Sequence, residues 1–534
     1  LPRQGRALGI DFVVDPLAAG TAALAACLFA ATFLFGWGYF TAIGVLYHVL
    51  MLLFLAGMIG LCFAGDLFNL FVFFELMSVT AYALTAYKLE ESTLEGAFNF
   101  TITNSIVGFL ILLGIGLLYG RTGALNLAEI GRSLARGGAH GVVLMAMVAV
   151  MTGFFVKAAQ VPFHFWLPDA QAVAPSPVCV LFSGVMVALG LYAAARVYWT
   201  VFAGAGLSEA GLRAVLLGLG TLTALLGAIL CFAQRHLKRL LAFSTISHIG
   251  IAMVGIALLT PEGVAGAATY LLGHGLAAAA LFMGAGILLA RCAAIDEFAL
   301  MGQGGRLRST GCVFALGALC LAGGLPGAMQ LGRSMVDAAT RTAGFAWLGP
   351  LLLAASVVTG AAVLRATARI FLGWGARGGE EEEEAPTESE REPSDRPVWL
   401  MLLPAGILLA ASIGLGCLPQ LEPGLSRAAR LLTQQSAYAS AVLEGSGVSP
   451  AAPPVPAAGV LERVVPSLAA LGLAALALWR DRLGPLPSGA AGRRLHVLLR
   501  PLRAAHSGHV GDYVAWLVFG LAVLGVAVAV AAGP

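Results

Sequence analysis

Two ionisable residues, Glu75 and Lys157, each stand in the middle of an apolar run long enough to cross a bilayer. A charge left alone at that depth costs roughly 2.5–3.5 kcal/mol on insertion scales, so such residues pair with one another or line a polar path. Glu75 lies in FNLFVFFELMSVTAYALTAYKLE, with Phe71 at i−4 and Ser78 at i+3. A glutamate there can hold or release a proton when burial and a nearby cation set its affinity. The plainer alternative is a static partner for a basic group. Lys157 lies in VAVMTGFFVKAAQVPFHFW. Burial disfavours the charged form of lysine and makes it a proton-exchanging group. The alternative is snorkelling, with Pro162 and Trp166 marking the membrane edge. A Glu–Lys pair across two helices is a natural switch, because protonating one releases the other.

His248 follows Ser244, Thr245 and Ser247 in LAFSTISHIG, and His274 lies in YLLGHGLAAAALF. Histidines among hydroxyls at membrane depth can relay protons through water; hydrogen-bonded core histidines are the alternative. Asp66 stands nine residues before Glu75, about 13 Å along a helix, and reads as an N-cap at the boundary. His164 and Asp169 read as a structured loop. Arg365 and Arg369, late in a span, read as snorkelling or lipid-phosphate contacts. His236, Lys238 and Arg239 read as a cytoplasmic corner that anchors topology or meets headgroups.

The elements that must position these residues are helices in a membrane. The chain has 534 residues, 59% hydrophobic and 11% charged, with a mean hydropathy of +0.89; soluble domains carry about 25% charge. Apolar spans fall near 13–36, 43–64, 67–88, 97–119, 141–161, 177–203, 211–232, 241–260, 265–290, 309–328, 345–373, 398–417, 457–478 and 512–532, fourteen in all. Their continuous character predicts helices and not barrel strands. A net charge of +3 carries no nucleic-acid signal. The eight cysteines form no CxxC and read as small buried hydrophobes. No phosphate loop, dinucleotide fingerprint or nucleophile triad is visible. No cofactor or metal is therefore expected, and any redox groups would belong to partners.

RHLKR (235–239), the arginines between 484 and 503, and Arg291, Arg306 and Arg308 fall on one side, which the positive-inside rule makes cytoplasmic. Residue 1 is then expected outside. LPRQGRALGIDFVVDPLAAG reads as an interhelical loop, with two further spans expected upstream. Glu380 opens an acidic loop to Pro397, and GSGVSPAAPPVPAAG (446–459) is a low-complexity link before two C-terminal spans. Two spans look broken. Pro162, Pro168, Pro175 and Pro177 follow Lys157, and Gly323, Gly324, Pro326 and Gly327 interrupt 311–334. Interruptions about 160 residues apart suit inverted repeats with helix ends facing a cavity. Ordinary Pro/Gly kinking is the alternative.

GDLFNLFVFFELMSVTAYALTAYK (65–88), KAAQVPFHFWLPDAQAVAPSPVCVLFSG (157–184), LKRLLAFSTISHIG (237–250) and HGLAAAALFMGAG (274–286) carry a resemblance. The chain resembles the antiporter-like proton-translocating subunits shared by respiratory complex I, Mrp-type multisubunit Na⁺/H⁺ antiporters and membrane-bound hydrogenases, over about residues 8–373. HSGHVGDYVAWLVFG (506–520) is similar to the final helix of the longer members. The resemblance implies an all-α polytopic membrane protein with two inverted five-helix repeats, each with a broken helix, plus flanking and C-terminal helices. It divides the chain into a core at 1–373 (repeats about 67–203 and 211–373), an acidic loop at 374–397, a helix and loop at 398–445 and accessory helices at 446–534. It implies that Glu75 and Lys157 are the family's charged pair and that His248 and His274 link two half-channels. The implied setting is a prokaryotic plasma membrane, with other antiporter-like and small membrane subunits as partners, protons and Na⁺ as cargo, and lipid around.

The sequence also departs from the family pattern. SGVMVALG has Ala188 where a lysine is usual, Ala278 replaces a second lysine four residues after His274, and GLPGAMQLGRS has Gly327 at a second proline. Arg333 is the nearest basic residue to that break, with Asp337 beyond it. Two functions stay open: a proton translocator through Glu75, Lys157 and the histidines, or a non-conducting structural or electrostatic-relay subunit. A carrier of another solute, or a partner in inorganic-carbon uptake, is a third. A wet route from Lys157 to the histidines favours the first, and a dry centre around Ala188 and Ala278 the second.

Overall fold

The computed structural model describes residues 10–138, 141–375, 396–444, 460–479 and 509–532. The acidic run from Glu380, the link 446–459 and the arginines at 484–503 lie outside the described residues. Eleven described helices are long and apolar enough to cross a membrane, and three more apolar helices are shorter. In chain order they begin with α1 (Pro16–Tyr39), α2 (Val45–Phe63), α3 (Leu67–Thr85) and α4 (Glu91–Thr122). The short amphipathic α5 (Leu127–Gly137) follows, then α6 (Gly141–Lys157) and α7 (Trp166–Val173). The next span is α8 (Ser176–Leu181) and α9 (Val187–Val197), with π-helical turns at Phe182–Met186 and Tyr198–Phe202. Then come α10 (Glu209–Ala233), α11 (Leu237–Ala257), α12 (Pro261–Cys292), α13 (Arg308–Leu321), α14 (Ala328–Thr342) and α15 (Leu348–Leu372). The remaining described helices are α16 (Val398–Leu415), α17 (Leu421–Thr433), α18 (Gln435–Glu444), α19 (Val460–Leu478) and α20 (Val510–Ala532).

The span of α8 and α9 and the span α11 are buried throughout; they are the centre of the bundle. The outer helices expose apolar flanks such as Phe109, Leu113 and Val79, as helices in lipid do. Cys27, Cys312 and Cys417 are exposed, so not every cysteine is in the core.

One structural unit occurs twice, at a constant offset in the numbering. Asp66 caps α3 and pairs with Asn126 beyond α4; His236 caps α11 and pairs with Asp296 beyond α12. The bonds match one for one: Leu67 N–H to Leu125 and Leu127 N–H to Gly65, then Leu237 N–H to Ile295 and Glu297 N–H to Arg235. Helices α4 and α12 are both 32 residues long. Left-handed residues flank each, Leu89 and Gly123 in the first case, Leu259 and Ala293 in the second. The register extends to α2 and α10. Added Cβ atoms at Gly57 and Gly227 would lie 2.7 Å from Met77 N and 2.5 Å from Ser247 N, so both helix pairs close on a glycine.

The two breaks are also built alike. After α6, Ala159 N–H bonds to Val156 and Gln160 N–H to Phe155; after α13, Gly323 N–H bonds to Cys320 and Gly324 N–H to Leu319. Ala159 and Gly323 are left-handed, with φ of 49° and 76°. This is the C-terminal cap in which a left-handed residue satisfies the last carbonyls. By this alignment Leu321 occupies the place of Lys157.

Candidate functional site

Helix α6 delivers Lys157 as its last residue, at the break and at the centre of the first half. The side chain is fully buried. Its Nζ donates to Ser78 Oγ at 2.8 Å, and Ser78 donates to Phe74 O at 2.7 Å. Four rings surround the ammonium, with centroids at 4.9 Å (Phe74), 5.6 Å (Phe100), 5.9 Å (Tyr82) and 5.9 Å (Trp166). Their faces offer electrostatic stabilisation of order 0.5–2 kcal/mol each at best, less than a carboxylate would give. Trp166 is itself fixed across the break, its indole N–H donating to Val156 O at 2.8 Å.

Glu75 sits one turn before Ser78 on α3 and does not close on the lysine. Its Oε1 is buried without a hydrogen-bond partner and presses on Gly108, where any side chain would collide with it. The two charges act on each other electrostatically without an ion-pair contact. The rest of Glu75 is half-buried on the flank of the bundle. Snorkelling of Lys157 is ruled out by its burial. Asp66 caps α3 through Asn69 N–H at 2.7 Å, as its position in the sequence indicates.

The centre of the molecule is hydroxyl-rich. Gln171 Nε2 donates to Ser183 Oγ at 2.8 Å, and the Ser183 and Thr245 hydroxyls lie 2.9 Å apart. Ser183 belongs to a π-helical turn, a local widening that often accompanies function. One turn beyond Thr245 on α11 stands His248. Its Nδ1 is 2.6 Å from Tyr270 Oη and its Nε2 is 3.1 Å from Thr359 Oγ1. The His248 and His274 rings lie 5.1 Å apart, so α11 and α12 bring together two residues remote in sequence. His274 Nε2 is buried without a partner among the described residues.

Past the second break, Arg333 and Asp337 pair at 3.8 Å on α14. Helix α14 runs on to Thr342, so Asp337 is inside it. Arg333 reaches back toward Gly323 and is within electrostatic reach of His248 and Tyr270. Ala188 and Ala278 are buried and apolar.

Several groups have other partners than the sequence indicates. Arg365 and Arg369 do not snorkel. Arg365 grips both oxygens of Glu297, at 3.1 and 2.9 Å, and Arg369 holds the same carboxylate at 2.8 Å. Glu297 is fully buried, and Arg365 also donates to Phe232 O and Gln234 O. Lys238 is buried and donates to Ala174 O at 3.0 Å, while Arg239 pairs with Asp169 at 3.4 Å. Tyr513 of α20 also donates to Asp169. The corner therefore joins internal elements. Buried Arg196 on α9 pairs with Asp15, the cap of α1. The roles of Glu297, Asp15, Ser78 and Ser183 do not show in the sequence. Arginines at i and i+4 in an apolar run are the one signal that a buried carboxylate exists.

The profile of the family "NADH:quinone oxidoreductase/Mrp antiporter, TM" matches residues 64–362. The chain is 30% identical over 392 residues to a Na(+)/H(+) antiporter subunit of Bacillus subtilis (strain 168), covering 73% of this chain and 76% of that protein. It is 36% identical over 282 residues to an NADH-quinone oxidoreductase subunit of Desulforudis audaxviator, covering 52% of this chain and 56% of that protein. Among solved structures, a chain of the Mrp complex from Dietzia sp. DQ12-45-1b superposes with a TM-score of 0.71 at 25% identity, over 82% of this chain and 87% of that one. The chain is a multi-pass protein of a prokaryotic plasma membrane, and it belongs to the NADH:quinone oxidoreductase/Mrp antiporter transmembrane family.

Proposed function

We propose that this chain is a proton-translocating, antiporter-like subunit of a multisubunit membrane complex. Protons pass by way of Glu75, Lys157, His248 and His274, coupled to Na⁺ exchange or to redox chemistry in partner subunits. The observation that carries this reading is the fully buried Lys157 ammonium, bonded to one serine and not in contact with Glu75. Breaking a buried ion pair costs about 3–5 kcal/mol, so a purely structural pair would be closed. A charge held by a hydroxyl and ring faces is poised to change its proton.

The repeat supports an alternating path. Helices α3 and α11 are five crossings apart, and an odd number reverses the direction of the chain. The recurrence of the α3 unit at α11 thus fits an inverted repeat. Counting five crossings per unit draws the first repeat from Val45 and the second from Glu209. In the proposed cycle a cytoplasmic proton reaches Lys157. Glu75 swings from Gly108 to hold the charged lysine. A change of charge in a neighbouring subunit, acting through the half-exposed flank of Glu75, then withdraws it. Lys157 releases its proton toward Gln171, Ser183 and Thr245, and on to the histidines. Gln160 and Gln171 present buried amide atoms without protein partners beside this route, groups that ordered water satisfies.

A second reading, the non-conducting electrostatic relay, is favoured by the apolar surroundings of Ala188 and the burial of the side chain of Ala278, which carries no polar group. Proton and sodium flux in sealed vesicles holding the intact complex separates the two. Under the first reading Lys157→Ala abolishes flux while partner assembly is unchanged. Wild-type flux in that variant assigns transport to neighbouring subunits.

A further inference from the structure

Beside Ala188 lies a cavity of about 110 Å³. Its wall is apolar, from Leu17 and Leu24 of α1 past Ala188 of α9 to Leu272 of α12, with Leu425 of α17 at the edge. The two hydroxyls on the wall are spent elsewhere: Thr21 donates to Leu17 O at 2.8 Å and Tyr192 to Cys62 O at 2.7 Å. A wall that offers no free polar partner holds no ordered water and accepts hydrocarbon.

Its direction identifies the hydrocarbon. Leu17 to Leu24 covers about 10 Å of helix and Val264 to Leu272 about 12 Å, so the slot runs along the spans. One end is charged. Asp15 and Arg196 pair two residues before Leu17, and Glu262 pairs with Arg430 at 3.1 Å two residues before Val264. The other end is apolar, at Ala188. The side is open at Gly20, which is exposed with nothing within 4 Å of an added Cβ, and at the partly exposed Leu271 and Leu272. Exposed Arg427 lies on the same helix as Leu425 and Arg430.

We propose that this slot binds one acyl chain of a phospholipid. The chain enters sideways between α1 and α12, its headgroup at the level of Glu262, Arg427 and Arg430 and its tail ending at Ala188. The slot is a binding site whether or not the subunit conducts. Filled, it keeps water from Ala188 and leaves the hydroxyls of Ser183 and Thr245 as the wet side of the centre.

The test uses the intact complex in membranes containing a phosphatidylcholine with a diazirine midway along one acyl chain. After irradiation, label is expected on α1 at 17–24 and on α12 at 264–272. Gly20→Phe places a ring in the open mouth and should reduce that label severalfold, while label on exposed Phe109 of α4 stays constant. Ala188→Leu, which fills the inner end, gives the same reading should the first variant fail to assemble. An unlabelled slot in the wild type, as a covering partner helix would produce, overturns the proposal. So does label that both filled variants leave unchanged.

Discussion

On α3, Ser78 accepts from Lys157, and Glu75, one turn before it, lies against Gly108. At the matching backbone positions of the second unit, α11 carries Thr245 and His248, and the break beside them has Leu321 in place of the lysine. The neighbouring helices follow suit: Asn104 of α4 corresponds to His274 of α12, and Gly108, which admits the Glu75 carboxylate, to Ala278. One backbone plan thus carries a carboxyl and an amine in the first half and a hydroxyl, an imidazole and a leucine at the matching positions of the second. A buried charge costs several kcal/mol unless matched, whereas a buried imidazole or hydroxyl needs only its hydrogen bonds. In the proposed cycle the first half holds the charge and the second half passes it on. The second half carries its charged pairs at other positions, Arg333 with Asp337 on α14 and Glu297 with Arg365 and Arg369 at the end of the bundle.

Lys157→Leu, which copies Leu321, tests this difference most directly. Proton flux by the vesicle-embedded complex should fall about a hundredfold or more, the loss expected of a missing general acid–base group. Flux above half the wild-type rate would remove the distinction between the halves. Glu297→Ala leaves two arginines buried without their carboxylate and should cost about 3–5 kcal/mol, read as a lowered thermal midpoint of the purified subunit. The exposed pair Arg132–Glu444 provides the contrast, since Glu444→Ala should cost below about 1 kcal/mol. Ser78→Ala removes a hydrogen bond from a charged donor, worth about 1.5–3 kcal/mol. It should lower the same midpoint while His248→Ser, which copies Ser78 into the second half, slows flux less than Lys157→Leu does. Last, Gly323→Ala should destabilise by about 1–2 kcal/mol and Ala159→Gly should not, because only the first adds a Cβ to a left-handed residue. Equal effects at the two sites would mean that the breaks are not equivalent.

Much of this was legible in the sequence. Continuous apolar runs marked the spans, because lipid leaves the backbone no other partner than itself. Glu75, Lys157, His248 and His274 stood out because ionisable groups are rare in such runs. The Asp66 cap followed from its position ahead of an apolar stretch. Glu297 was not legible, since IDEFAL between two spans reads as any polar connection; only the fold turns that loop inward onto α15. Nor could the open Glu75–Lys157 arrangement be read, because it depends on Gly108 of a third helix. The constant offset between the two units was present in the sequence, yet the matching positions share geometry and not residue type, so no repeated motif advertises it.

The sequence by itself determined that this chain crosses a membrane many times, where it crosses, and which few side chains carry charge or exchangeable protons there. Those follow from transfer free energies, which depend on residue type and run length alone. Tertiary structure decided who partners whom: Lys157 with Ser78 under four rings, His248 with Tyr270 and Thr359, Glu297 with two arginines. Such choices depend on side chains from different helices meeting within about 3 Å, and that distance is set by the packing of the whole bundle.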